Sequence, residues 1–177
     1  MCLINAKPRK LSEPMTVYKV FLISVDSDGV ETIRSPYQLP MIWDFGKEET
    51  VGVSYDYGKG YIPCLKRSYD ANVEMKKIFG GAFHSFPNKE DAQWTMNDLA
   101  TEPNDGTYMK SIGRIFTRAE NCERLKLAIG ECTIPQDSEY VFDGLFEMVS
   151  NKDWRCYQMP SIASHKLILN KIVEELA

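Results

Sequence analysis

The sequence predicts an α+β domain in which one or two helices pack on a mainly antiparallel, strongly bent sheet. Three stretches carry that expectation. Thr16–Val25 is rich in β-branched and aromatic residues and stops at Asp26-Ser27-Asp28-Gly29, as a strand entering a hairpin does. Leu125, Leu127 and Ile129 alternate with Lys126 and Ala128, and the run continues to Pro135 as one long strand. Between them, Asn88 precedes Lys89-Glu90-Asp91, and Ala92, Met96, Leu99 and Ala100 recur at helical spacing behind it.

The remaining elements follow from punctuation. Val30–Arg34 alternates apolar with polar residues and forms the return arm of the first hairpin, which Ser35-Pro36-Tyr37 closes because proline cannot donate to a ladder. From Tyr37 to Tyr69, Pro40, Gly46, Gly52, Gly58, Gly60 and Pro63 interrupt every apolar stretch before a helix could form. Short strands and loops are expected there, with Met41–Trp43 and Thr50–Val53 pairing at a sheet edge. The helix is expected to end before Glu102-Pro103, and Thr101–Lys110 reads as a loop. Glu139–Phe142 reads as a strand. His165–Val173 fits a strand, although Ile168, Ile172 and Leu176 also fit a helix; strand is the preferred assignment. No repeat or low-complexity linker divides residues 1–177, so a single domain is expected.

Composition bounds the function. Apolar residues make up 44% and charged residues 26% of the 177, which suits a packed core. A formal charge of −4 supplies no positive field for phosphate backbones or anionic lipids, so neither nucleic acid nor a membrane is the expected partner. No apolar run approaches bilayer length, and the opening residues lack the apolar stretch of a secretory signal; a cytoplasmic protein is expected. The five cysteines include no Cys-x-x-Cys pair and are expected to be reduced, and with only two histidines no metal site and no cofactor are predicted.

Three segments could carry chemistry. Met1-Cys2 has the layout of an N-terminal nucleophile, but Cys2-Leu3-Ile4 also reads as a short buried strand with cysteine as a small apolar residue, which is preferred. Ser54–Tyr61 brings Tyr55, Tyr57 and Tyr61 together with Lys59 in a Gly-Lys-Gly loop. Rings can stack on a base, and glycine amides with lysine can hold a phosphate, although the spacing is no Walker loop. Gly80–Pro87 reads as a compact turn feeding the helix, in which His84 and Ser85 could meet a ligand. The plainer alternatives are an exposed tyrosine-edged loop for the first of these two and backbone-satisfying polar groups for the second. No pair of acids has catalytic spacing, and neither Gly-x-Ser-x-Gly nor His-Glu-x-x-His occurs.

The opening Met-Cys-Leu-Ile, with Thr16–Val20, Ser35-Pro36-Tyr37, Phe83–Phe86 and Ile134–Tyr140, resembles a family of small uncharacterised proteins of phages and gut bacteria. That resemblance implies a compact accessory protein, phage-borne and made in a bacterial cytoplasm. Ile134-Pro135 followed by Glu139-Tyr140, and then Ser161–Leu169, is similar to the late strands of ADP-ribosyltransferases. In that family a first-strand Arg or His holds the dinucleotide, a Ser/Thr strand lines the pocket and a late Glu promotes transfer. The likeness puts Lys19 at the first place and Ser85 at the second, while no glutamate occupies residues 161–169.

The expected function is therefore binding of a nucleotide-like small molecule through Tyr55, Tyr57, Lys59, Tyr61, His84 and Ser85. Its concrete version is a phage counter-defence protein that sequesters a host nucleotide immune signal without cleaving it. Two alternatives stay open: a divergent ADP-ribosyl-transferring or nucleotide-cleaving enzyme, and an interaction module that inhibits a host protein. Whether the chain forms a homo-oligomer is also open.

Overall fold

The computed structural model describes residues 9–36, 38–50, 82–101, 122–149 and 156–176. Ten strands and one helix lie in them. They are β1 (Arg9–Lys10), β2 (Met15–Asp26), β3 (Glu31–Ser35), β4 (Gln38–Trp43), β5 (Glu48–Thr50), β6 (Phe83–Ser85), α1 (Lys89–Thr101), β7 (Cys122–Ile134), β8 (Glu139–Val149), β9 (Cys156–Ser164) and β10 (Lys166–Leu176). A six-stranded sheet runs β4-β3-β2-β7-β10-β5 and a four-stranded sheet runs β1-β8-β9-β6, with every strand pairing antiparallel.

The larger sheet is strongly bent, and chain connectivity requires it. Residues 44–47 alone join Trp43 of β4 to Glu48 of β5, the two outermost strands. Five steps of extended chain reach about 18 Å, whereas the outer strands of a flat six-stranded sheet stand roughly 24 Å apart. The sheet curls until its edges approach and is nearly closed. The link itself runs beside β10, where the Gly46 N–H donates to the Leu169 oxygen at 2.8 Å.

The first hairpin forms as its sequence dictates. Asp26 Oδ1 accepts the N–H groups of Asp28 at 2.9 Å and Val30 at 2.8 Å, and Gly29 takes a φ of 80° that costs a residue without Cβ little. Because β3 pairs only with Leu22–Val25, the first half of β2 lacks a neighbour on that side. Phe86 fills the place: it and Tyr18 exchange backbone bonds of 2.7 and 2.8 Å, which join the two sheets.

Strands cross between sheets at two corners. Residues 135–138 carry the chain from β7 in the larger sheet to β8 in the smaller one, and His165 alone carries it back from β9 to β10. His165 Nδ1 lies 3.1 Å from the Glu139 oxygen and ties the corners together. The C-terminal segment is thus a strand, and Gly80–Pro87, expected as a turn, holds the short strand β6. Its three residues pair with Ile162–Ser164, and the larger sheet's neighbour supplies the rest of the pairing through Phe86.

Two apolar layers flank β2, which is why it reads as an almost continuous apolar run. Val17, Phe21, Ile23 and Val25 face a core shared with Trp43, Phe83, Cys132, Ile162 and Leu169, drawn from both sheets. Val20 and Leu22 face α1, whose Ala92, Met96 and Leu99 lie against them. Glu174 of β10 fixes the helix start, accepting from Gln93 at 2.8 Å and pairing with Lys89 at 2.8 Å.

Candidate functional site

Alternation along β2 puts residues 17, 19, 21, 23 and 25 on one face, and Lys19 is the one charged side chain among them. It is only 5% exposed. Its Nζ donates to the main-chain oxygen of His84 at 3.1 Å and stands 5.9 Å from the centre of the Phe21 ring. Among the described residues, every other lysine has a carboxylate partner: Lys10 with Asp137, Lys47 with Glu49, Lys89 with Glu174, Lys126 with Glu31 and Glu175, Lys166 with Glu48, and Lys171 with Glu131. Lys19, the buried one, has no carboxylate partner among them. Burial, partly offset by Cys132, lowers its pKa to about 8.

Aromatic rings wall the same region. Trp43 meets Phe21 edge-on at 5.3 Å and Phe83 at 5.0 Å. Phe21 packs against Gly130, where an added Cβ would stand 2.5 Å from the ring and 2.5 Å from Leu169 Cδ1. The Trp43 indole N–H is buried and has no hydrogen-bond partner among the described residues. An ammonium carries three donors and an indole one, neither carries an acceptor, and among the described residues one of those N–H groups finds a partner. The region therefore offers donors and calls for an acceptor-rich group.

Cys132 lies on the same face as Lys19, diagonally across the β2–β7 pair, since Val17 opposes Cys132 and Lys19 opposes Gly130. Burial pushes its thiol up to about 12, so it is inert as a nucleophile. Cys132 and Cys122 are both free thiols.

His84 and Ser85, taken together in the sequence, part company in the strand because neighbouring residues face opposite ways. Ser85 is fully buried, and its hydroxyl donates to the Ile162 oxygen at 3.3 Å, a backbone-satisfying role. The His84 ring points away from Ser85. It retains some exposure as a residue, but its Nδ1 is enclosed and has no partner among the described residues. Burial first, then the charge of Lys19, lower its pKa to about 3, so the ring is neutral at physiological pH.

Tyr55, Tyr57, Lys59, Tyr61 and Cys2 lie outside the described residues. Lys19 entered the sequence reading only through the transferase likeness, yet a plain signal marked it, a lone charge on the buried face of an apolar strand. The Trp43 N–H, without a partner among the described residues, had no such signal, since it depends on which strands close the sheet. Among the described residues, no group of three or more His, Cys, Asp or Glu side chains is placed to hold a metal ion, and no helix is long and apolar enough to cross a membrane. No family model matches the chain, and no curated protein or solved structure matches it.

Proposed function

We propose that this protein binds a nucleotide-like, anionic small molecule and holds it without cleaving it. One observation carries the reading: among the described residues, the buried lysine is the one without a carboxylate partner. Enclosing a charge that has no carboxylate partner among the described residues is costly, and a bound phosphate or carboxylate would remove that cost. The Trp43 N–H, buried and without a partner among the described residues, supports the same ligand chemistry. Rings at Tyr55, Tyr57 and Tyr61 would stack on the base and Lys59 would add positive charge.

His84 supports holding over cleaving. A general base works best with a pKa near the operating pH, and an imidazole held near 3 is a hydrogen-bonding group instead. The likeness of the sequence to small phage and gut-bacterial proteins supplies the setting, a phage-borne protein that withdraws a host nucleotide signal in the bacterial cytoplasm.

The test incubates pure protein with a nucleotide panel, removes free ligand, denatures the protein and analyses what is released. Intact nucleotide is expected, with retention lost in Lys19→Met and weakened in Tyr57→Ala and Lys59→Ala. Altered nucleotide would establish an enzyme, and failure to retain any nucleotide would favour a protein partner.

A further inference from the structure

On β9, Ala163 directly opposes His84, and Ser161 lies two residues along the same strand. Ser161 and His84 are thus diagonal neighbours on one face of the smaller sheet, at roughly 7–8 Å between Cα atoms, within reach of one small group. Ser161 is fully buried, at 0% exposure. Its Oγ and the His84 Nδ1 are both enclosed, and neither has a hydrogen-bond partner among the described residues, so they do not bond each other. The other face of the same strands is different: Ser85 donates to the Ile162 oxygen and Ser164 to the Lys166 oxygen at 2.9 Å. Two unmet polar atoms gather on the face that carries His84, turned away from the core that Phe83 and Ile162 share with β2.

We propose that Ser161 and His84 together read the neutral donor–acceptor edge of a nucleobase. This rests on the ligand-binding reading above. A hydroxyl can donate to a base carbonyl or ring nitrogen, and the unprotonated Nδ1 of an imidazole can accept from a base N–H. The pair therefore presents one donor and one acceptor, the complement of the hydrogen-bonding edge that every nucleobase carries and that an ionised phosphate lacks. A serine and a neutral imidazole suit an anion poorly, because an anion asks for donors only.

Calorimetry with adenosine, guanosine, cytidine and uridine 5′-monophosphates, and with ribose 5-phosphate as the base-free control, tests it on the full chain. Ser161→Ala should weaken the best-bound nucleotide about tenfold and leave ribose 5-phosphate unchanged. Ser161→Cys, which keeps a weak donor at nearly the same volume, should fall between and serves if the alanine variant does not fold. If Ser161→Ala binds the nucleotide like wild type and melts higher, the two atoms share only a buried water; this proposal then falls while the binding reading stands. Equal losses for nucleotide and ribose 5-phosphate would make Ser161 a structural residue and overturn it as well. If the wild type binds none of the four nucleotides, both readings fall.

Discussion

Lys19 Nζ donates a 3.1 Å hydrogen bond to the main-chain oxygen of His84, joining β2 in the interior of the larger sheet to the short edge strand of the other sheet. The neighbouring residues make the same joint through backbone, as Tyr18 and Phe86 exchange bonds across it. Charge, aromatic wall and inter-sheet seam therefore coincide. A group that engages Lys19 engages the contact that holds β6 against β2.

Replacing Lys19 with methionine should leave the protein as stable as wild type or more so at pH 7, because it removes a buried charge without a carboxylate partner among the described residues. The sign follows from the lowered pKa, about 8 in the folded chain against 10.5 for an ordinary lysine. Below 8 both states are charged and the folded state bears the full cost of burial. Between about 8 and 10.5 the folded state gives up its proton while the unfolded chain keeps it, so stability from this group rises with pH. The rise is at most about 3 kcal/mol. Cys132 pushes the other way above 9, since its thiol is raised and resists ionising in the folded state. Urea midpoints of wild type and Lys19→Met at pH 7 and pH 9 isolate the lysine; equal pH slopes in the two proteins would refute its buried state.

Ligand affinity should carry the same titration with the opposite consequence. The ammonium attracts an anion only while protonated, so nucleotide binding should weaken as pH rises through about 8, and binding by Lys19→Met should not follow that curve. Calorimetry across pH 6.5 to 9.5 reads it, and an affinity flat over that range would take Lys19 out of the site.

His84 should make the fold sensitive to acid. Its pKa is lowered from 6.5 to about 3, so between those values the unfolded chain takes up a proton that the folded chain refuses. Stability is therefore lost as pH falls through that window. His84→Asn cannot titrate there and should lose less between pH 7 and pH 4, measured by urea midpoint. A loss identical to wild type would mean that the ring reaches solvent when protonated.

Much of this fold was legible because its strands obey simple alternation and its turns carry their punctuation. The β2–β3 hairpin, α1, β7 and β10 all fall where the residues place them. Strand β9 was expected only at its end, where the transferase likeness put Ser161–Leu169 among late strands, and Pro160 makes the rest hard to read: a proline inside an apolar stretch argues against a central strand. The register resolves the conflict, because Asp143 opposes Ser161 and Phe146 opposes Met159, leaving Gly144 and Leu145 against Pro160 in a bulge where no donor is required. The site was legible only in part. Lys19 announces itself by position, whereas Trp43 and Ser161 become candidates only through pairings between segments far apart in the chain. Ser85 looked like a ligand group because sequence gives no view of Ile162, whose carbonyl takes its hydroxyl.

Gly130 should tolerate no side chain, and Phe21 is the main reason. The position is neither a turn nor a left-handed residue; it is a strand residue opposite Lys19 whose missing Cβ gives the Phe21 ring its seat. Gly130→Ala forces the ring and the end of Leu169 to move, and overpacking of this kind costs about 1–3 kcal/mol. The displaced ring would carry Trp43 with it, since the two meet edge-on at 5.3 Å, so ligand binding should weaken along with stability. In a Phe21→Leu background the smaller side chain should relieve part of the clash, and the cost of Gly130→Ala should fall by on the order of 1 kcal/mol, a coupling a double-mutant cycle can resolve. Additive losses in the two backgrounds would show that Leu169, which remains 2.5 Å from the added carbon, dictates the glycine instead.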